Sequence, residues 1–215
     1  MSDGGEQGWL AYLVLIVSLF AMMNPLYAVP TFLHLTQDMP EETRRAIPLK
    51  TAIASFLIMV VVFFAGEAIL RLFSISLPAL RISGGLVVFA MAWSMVRGGE
   101  HQTDTADKTR TDGESSPSIA LIPLALPLTA GPGAMSLMIV VATYGNPLSG
   151  QLAIVFAVFL VCLVVWLTLK LAPRIRDFLG ESGMDVVGRL MGLILLALAV
   201  EFITTGLAQK FPGWL

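Results

Sequence analysis

Residues 124–136 read Leu-Ala-Leu-Pro-Leu-Thr-Ala-Gly-Pro-Gly-Ala-Met-Ser, in the middle of an apolar, charge-free run where a membrane helix is expected. Pro127, Gly131, Pro132 and Gly133 are poor helix-interior residues. Proline lacks the amide donor and clashes with the carbonyl one turn back, and glycine carries the larger backbone entropy cost. An earlier stretch, residues 22–32, reads Met-Met-Asn-Pro-Leu-Tyr-Ala-Val-Pro-Thr-Phe and interrupts its own run at Asn24, Pro25 and Pro30. Unwound backbone at membrane depth is tolerated only where protein or a polar cavity satisfies its groups. Two such interruptions in a small chain point to a substrate site.

The surrounding composition fits a membrane protein. Of 215 residues, 56% are hydrophobic and 13% charged, and the mean hydropathy is +0.82. A soluble domain carries about 25% charged residues. The net charge of -2 gives no reason to expect a nucleic-acid partner. Cys162 stands alone in an apolar run, so it reads as a small buried hydrophobe, not part of a disulfide or thiolate metal site. The residues before the first apolar run include Asp3 and Glu6 but no Lys or Arg, so no cleavable signal is expected.

Six hydrophobic segments are expected: Trp9–Leu35, Ile47–Leu72, Pro78–Val96, Ile119–Tyr144, Gln151–Leu171 and Met184–Leu207, each long enough to span at about 1.5 Å per residue. The polar stretch Arg97–Pro117, rich in Thr, Asp and Ser, reads as a solvated linker. The chain thus divides into residues 1–96, a cytoplasmic linker 97–117, and residues 118–215, all within a single all-α membrane domain. With the N-terminus outside, ten of the Lys and Arg residues fall on the cytoplasmic side and Arg71, Arg81 and Lys210 on the other. The positive-inside rule then places both termini in the periplasm of a multi-pass inner-membrane protein. Trp9 and Trp214 suit the outer interface.

The two parts look like copies of one unit. Pro25 and Pro132 are 107 residues apart, and Arg81-Ile-Ser-Gly84 and Arg189-Leu-Met-Gly192 are 108 apart. Three segments per copy is odd, so the second copy enters the membrane upside down, as an inverted-topology repeat. Each break falls about 20 Å along its segment, near the middle of a core of about 30 Å. Half-helices starting near Pro30 and near Pro132 would present free amides and the positive ends of helix dipoles from opposite sides. A carboxylate could be held there without Lys or Arg. Free carbonyls at the ends of the preceding halves could take an ammonium group, so a small zwitterion matches. The expected binding residues are Asn24, Pro25, Ala28, Pro30, Thr129, Ala130, Gly131, Pro132, Gly133 and Ser136. The plain alternative is two kinked helices whose Pro and Gly only shape packing.

Four ionisable residues lie in or beside the segments. Glu67 and Arg71 have the spacing of an exposed i,i+4 pair. Glu201, inside the sixth segment, is either a proton-coupling carboxylate or the ion-pair partner of Arg81. Arg189 is expected to mirror Arg81. His34 and His101 have no partner at ligand spacing, so no metal is expected. No P-loop is present to drive transport by ATP, and Ser136 has no evident His partner, so no cofactor and no enzymatic reaction are expected.

Met23-Asn-Pro-Leu-Tyr-Ala-Val-Pro-Thr-Phe32 and Pro123-Leu-Ala-Leu-Pro-Leu-Thr-Ala-Gly-Pro-Gly-Ala134 resemble the two signature stretches of the MarC family, itself similar to the lysine-exporter superfamily. Leu26 stands where that family often has Gly. The resemblance covers nearly the whole chain and implies a transporter of small neutral amino acids such as alanine or glycine. A coupling proton or sodium ion and a homo-oligomer are compatible with it. The rivals are an exporter of other small metabolites or drugs, and a non-transporting membrane scaffold or regulator.

Overall fold

The computed structural model describes residues 3–37, 39–97, 129–144 and 147–213, the side chains of 3–9 and 181 excepted. The chain is all-helical within these residues, without strands. The linker beyond Arg97, the first half of the fourth segment with Pro123 and Pro127, His101 and Trp214 lie outside them, as does the side chain of Trp9.

Helix α1 (Asp3–Met23) and helix α2 (Ala28–Thr36) are the two parts of the first segment, bent by 42°. Helix α3 (Glu41–Leu72) begins six residues before the apolar run, because Glu41 and Glu42 occupy its first turn, where carboxylates complement the helix dipole. It continues through Pro48. Helix α4 (Leu77–Val96) is capped by Ser76, whose hydroxyl accepts from the Ala79 amide at 3.4 Å. Helix α5 (Pro132–Ala142) is the described part of the fourth segment. At 11 residues it is about 16 Å long, too short to cross alone. Helix α6 (Leu148–Lys170) follows, then α7 (Ala172–Lys210). Gly180 breaks α7 at φ 67°, a conformation glycine adopts without strain, and leaves Ser182–Lys210 as the spanning part.

Among the described residues four helices are long and apolar enough to cross a membrane, five when α1 and α2 count as one bent span. Their outer faces carry large exposed apolar side chains, among them Val14, Val61, Phe64, Leu152 and Phe156. In lipid these need no cover. The core is formed by Leu19, Met23, Val29, Phe32, Met59, Met138, Ile154 and Val158, from five helices.

Two long seams hold the bundle. Along the first, α4 and α7 run antiparallel: Gly85 lies against Ile203 and Ala199, Gly192 against Met95 and Ala92, and Gly206 against Ile82 and Pro78. A Cβ on Gly85 would lie 3.0 Å from the Ala199 carbonyl oxygen, and one on Gly206 3.0 Å from that of Pro78. The backbones approach because no side chains intervene, the usual route to helix association in a solvent without a hydrophobic drive. Along the second seam α3 packs on α6, with Phe56 edge-on to Phe159 at 6.2 Å. Helix α3 also packs on α5, and α1 on α6; α4 touches α5, and α2 touches α7.

Gly85→Leu and Gly206→Leu should each lower the thermal midpoint of the purified protein markedly, since forced overpacking costs about 1–3 kcal/mol. Gly188→Ala, where nothing lies within 4 Å of an added Cβ, should lower it least. Equal losses at all three positions would show that the seam is not held by close approach.

Candidate functional site

The first break is built from Asn24 and Pro25. Pro25 cannot donate to the Ala21 carbonyl, and it bars its predecessor from the right-handed helical region. Asn24 accordingly takes φ 41°, a left-handed conformation that asparagine tolerates better than most residues. Its amide still donates to Phe20, closing α1 at 2.9 Å. The chain then turns on Asn24-Pro25-Leu26-Tyr27, the Tyr27 amide donating to the Asn24 carbonyl at 3.1 Å, with proline at the second position of the turn. The Val29 amide donates to Leu26 at 3.2 Å.

This geometry corrects the expected start of the second half-helix. It begins at Ala28, not near Pro30. Pro30 sits inside the first turn, where a helix amide has no partner to lose, so it continues the helix. Its ring is exposed beside Leu33 and His34, away from the buried break, so it is not brought to the site. The free-amide count also falls, since Tyr27 and Val29 are already engaged and Pro30 has none.

The second break fits the expectation more closely. Gly131 is the residue before α5 and is extended at φ -70° and ψ 170°; Pro132 opens the helix, and the Met135 amide donates to the Gly131 carbonyl at 3.0 Å. Gly131 offers no side-chain cap. The first-turn amides of Gly133 and Ala134 therefore point out of the helix end.

The fold brings the two breaks together. A Cβ on Gly133 would lie 3.9 Å from the Met22 sulfur, and closer still to Val88 of α4. Asn24 is buried and donates from Nδ2 to the Met95 sulfur at 3.7 Å. Among the described residues its buried Oδ1 has no hydrogen-bond partner, and leaving such an oxygen unpaired costs about 1–3 kcal/mol. Thr129 is fully buried and shares a hydrogen bond of 2.6 Å with Ser55 of α3. Ser136 faces Gly84 of α4, whose Cβ would lie 2.8 Å from that of Ser136. Pro25, Ala28, Ala130, Gly131 and Gly133 are buried here, and Pro132 is half-buried. Ser55, Val88 and Met95 carry no expected role at the site, and Gly84 figures in the sequence only as part of the repeated motif. Ser55 is a hydroxyl in an apolar run, which is a weak signal, and the methionine and valine carry none.

The ionisable residues divide differently from the expectation. Glu67 and Arg71 do pair, at 2.5 Å, on the exposed face of α3. Arg81 and Glu201 form no ion pair. Arg81 is buried and donates to the Tyr144 hydroxyl at 2.9 Å, joining the start of α4 to the end of α5. Glu201 is exposed on α7, and its carboxylate accepts from the Thr205 hydroxyl at 3.4 Å. Arg189 is exposed, so it does not mirror Arg81. The motifs share a sequence, but burial is set by the neighbours, and Arg81 lies against Gly206. Among the described residues no group of His, Cys, Asp and Glu could hold a metal ion.

Gly133→Ala should lower the thermal midpoint by pushing Val88, and Val88→Ala on the same chain should restore much of the loss. Additive losses in the double variant would show that the two positions do not touch.

The comparisons find an integral membrane family. The model of the MarC family integral membrane protein matches residues 9–211. The chain is 37% identical over 206 residues to "UPF0056 membrane protein YhcE" of Escherichia coli, covering 95% of each chain. It is 35% identical over 204 residues to a "UPF0056 membrane protein" of Buchnera aphidicola subsp. Schizaphis graminum, again 95% of each. To "UPF0056 inner membrane protein MarC" of Citrobacter koseri it is 33% identical over 204 residues, 90% of this chain and 92% of that one. No solved structure matches it. With the family's model matched from the first apolar segment to the end of the last, the chain belongs to the MarC family of integral membrane proteins.

Proposed function

We propose that the chain is a secondary transporter of small neutral amino acids, alanine- or glycine-like, across a bacterial inner membrane. The observation that carries this reading is the meeting of two interrupted helices in the buried middle of the bundle, Met22 against Gly133, with an unsatisfied Asn24 oxygen beside them. The substrate carboxylate is held at the amide end of α5, by Gly133 and Ala134. Asn24 Oδ1 accepts from the ammonium group. The small residues Ala28, Ala130 and Gly131 limit the side chain. Because Tyr27 and Val29 have their amides engaged, the first break contributes its side chain more than its helix end.

The packing supports an inverted repeat of two three-helix units. Exchanging the halves, with α2 answering to α5, maps these neighbours onto others: α3 on α5 becomes α6 on α2, and α4 on α5 becomes α7 on α2. The antiparallel α4–α7 seam maps onto itself. On this reading both termini lie outside and the 97–117 linker inside. Glu201, on the exposed side of α7, has no part in holding the substrate. The packing-only rival has its own observation, the tight fit of Gly133 and Gly84.

The test is flux of labelled alanine in proteoliposomes, with alanine and alaninamide as competitors. Helix N-termini favour negative charge, so alaninamide should compete at least tenfold more weakly. Asn24→Leu should abolish flux in protein that still inserts. Equal competition by the two ligands would sink the carboxylate site, and absence of flux for a panel of neutral amino acids would favour the scaffold.

Topology is checked separately. In a Cys162→Ser background, a cysteine at Ser2 should react with an impermeant thiol reagent in intact cells. One at Ser115 should react only after lysis; labelling of Ser115 from outside would reverse the orientation.

A further inference from the structure

At one end of the α3–α6 seam lies a cavity of about 450 Å³ whose charged lining is Arg44, Arg45, Lys170, Arg174 and Glu41. Glu41 is engaged with Arg45 at 2.5 Å. Among the described residues, Arg44, Lys170 and Arg174 have no carboxylate partner. The cavity is thus a pocket with three uncompensated cations, walled on its inner side by Phe32, Pro48 and Leu169.

A second depression lies farther along the same two helices. It is an apolar groove of about 290 Å³, lined by Leu49, Ile53 and Phe56 of α3 and by Phe159, Leu163 and Trp166 of α6. On α3 the residues Arg45, Leu49, Ile53 and Phe56 follow helical spacing on one face, as do Phe159, Leu163, Trp166 and Lys170 on α6. The ammonium of Lys170 lies 4.7 Å over the Trp166 ring, so one contact joins the pocket to the groove. From Arg45 to Phe56, and from Lys170 back to Phe159, the helices rise about 16 Å, the depth of one leaflet of a core of about 30 Å. Tryptophan beside a cation is the signature of the membrane–water boundary.

We infer that this seam is a binding site for an anionic phospholipid, its phosphate among Arg44, Lys170 and Arg174 and an acyl chain in the groove below. Charge complementarity selects the anionic headgroup, since a zwitterionic one would bring its own cation into the cluster. Basic pockets between membrane helices hold such headgroups elsewhere. The inference does not depend on what the protein transports.

The test uses the full chain in an uncharged detergent, with thermal midpoint and native mass spectrometry as readouts. Phosphatidylglycerol should raise the midpoint and leave a bound adduct, whereas phosphatidylcholine and inorganic phosphate should do neither. The shift and the adduct should be lost in Arg44→Gln/Lys170→Gln/Arg174→Gln and retained in Lys210→Gln, an exposed cation outside the pocket. If the triple variant fails to fold, Lys170→Gln and Arg174→Gln are read singly, and each should weaken the adduct. Ile53→Trp, which fills the groove and leaves the cations intact, should also lose the adduct. Equal shifts with the two lipids, a shift with phosphate alone, or an adduct that survives charge removal would overturn the proposal. So would a lipid-free oligomer that Ile53→Trp dissociates, since the groove would then belong to a second copy of the chain.

Discussion

A backbone that leaves its helix inside hydrocarbon has no water to bond, and the rest of this fold answers that constraint. At the first break the chain satisfies itself: Asn24 closes α1 with its amide, and its carbonyl accepts from Tyr27 one turn on. The left-handed residue is an asparagine, whose amide group then finds Met95 on the neighbouring helix. At the second break, Pro132 stands where a missing amide loses nothing. Both breaks are then sealed from lipid by α3, α4 and α6, and this sealing explains why hydroxyls such as Thr129 and Ser55 pair with each other in the interior. A hydroxyl facing lipid can bond only its own helix backbone, as Ser83 does with Leu80.

Close packing through glycine supplies the frame. In lipid, burying one more leucine gains little, so helices associate where backbones approach and dispersion contacts multiply. The α4–α7 seam does this at Gly85, Gly192 and Gly206, spread along most of α4. The same device operates at the breaks, where Gly84 receives Ser136 and Gly133 receives Val88. Frame and site are therefore one packed unit, and α4 belongs to both. Any rearrangement that opens the breaks must move α5 against α4, and the Arg81–Tyr144 hydrogen bond spans that same pair of helices near one end.

Much of this was legible in the sequence, because helix length, proline and glycine act locally. Asn24-Pro25 and Gly131-Pro132 located both breaks, and the pair Glu67 and Arg71 followed from spacing alone. Pro30 misled because proline breaks a helix only after the first turn, and the sequence does not say where that turn begins. The start of the second segment was late, at Glu41, because a polar first turn carries no hydropathy signal, whereas the sixth, expected at Met184, begins its spanning part at Ser182. Pairing Arg81 with Glu201 was one of two readings open for that carboxylate, yet the arginine's partner is a phenol 63 residues away, fixed by the α4–α5 contact. Arg189 shares Arg81's motif but not its surroundings. Local rules describe a helix and its ends; they do not say which face meets which neighbour.

The electrostatics of the breaks have a consequence for the proposed transport cycle. Arg81 is the one buried charged side chain among the described residues, and it is held by Tyr144 instead of lying between the breaks. Among the described residues the break region offers only dipoles: the hydroxyls of Ser55, Thr129 and Ser136, a side-chain amide oxygen and the amide end of a short helix. A helix end acts as about half a charge, so it stabilises a carboxylate less than an arginine would. A net-neutral zwitterion needs no more than that, because its own ammonium offsets much of the field. A site built on a fixed arginine would bind an anion strongly and leave a bare buried charge after release, which costs several kcal/mol per ion. A dipolar site leaves no such charge behind, so the empty and loaded forms stay close in energy. A carrier that must return empty, or exchange one small amino acid for another, needs that near-equality. On the proposed function, the lack of a fixed charge among the described residues where the two breaks meet is therefore part of what would suit them to a zwitterion.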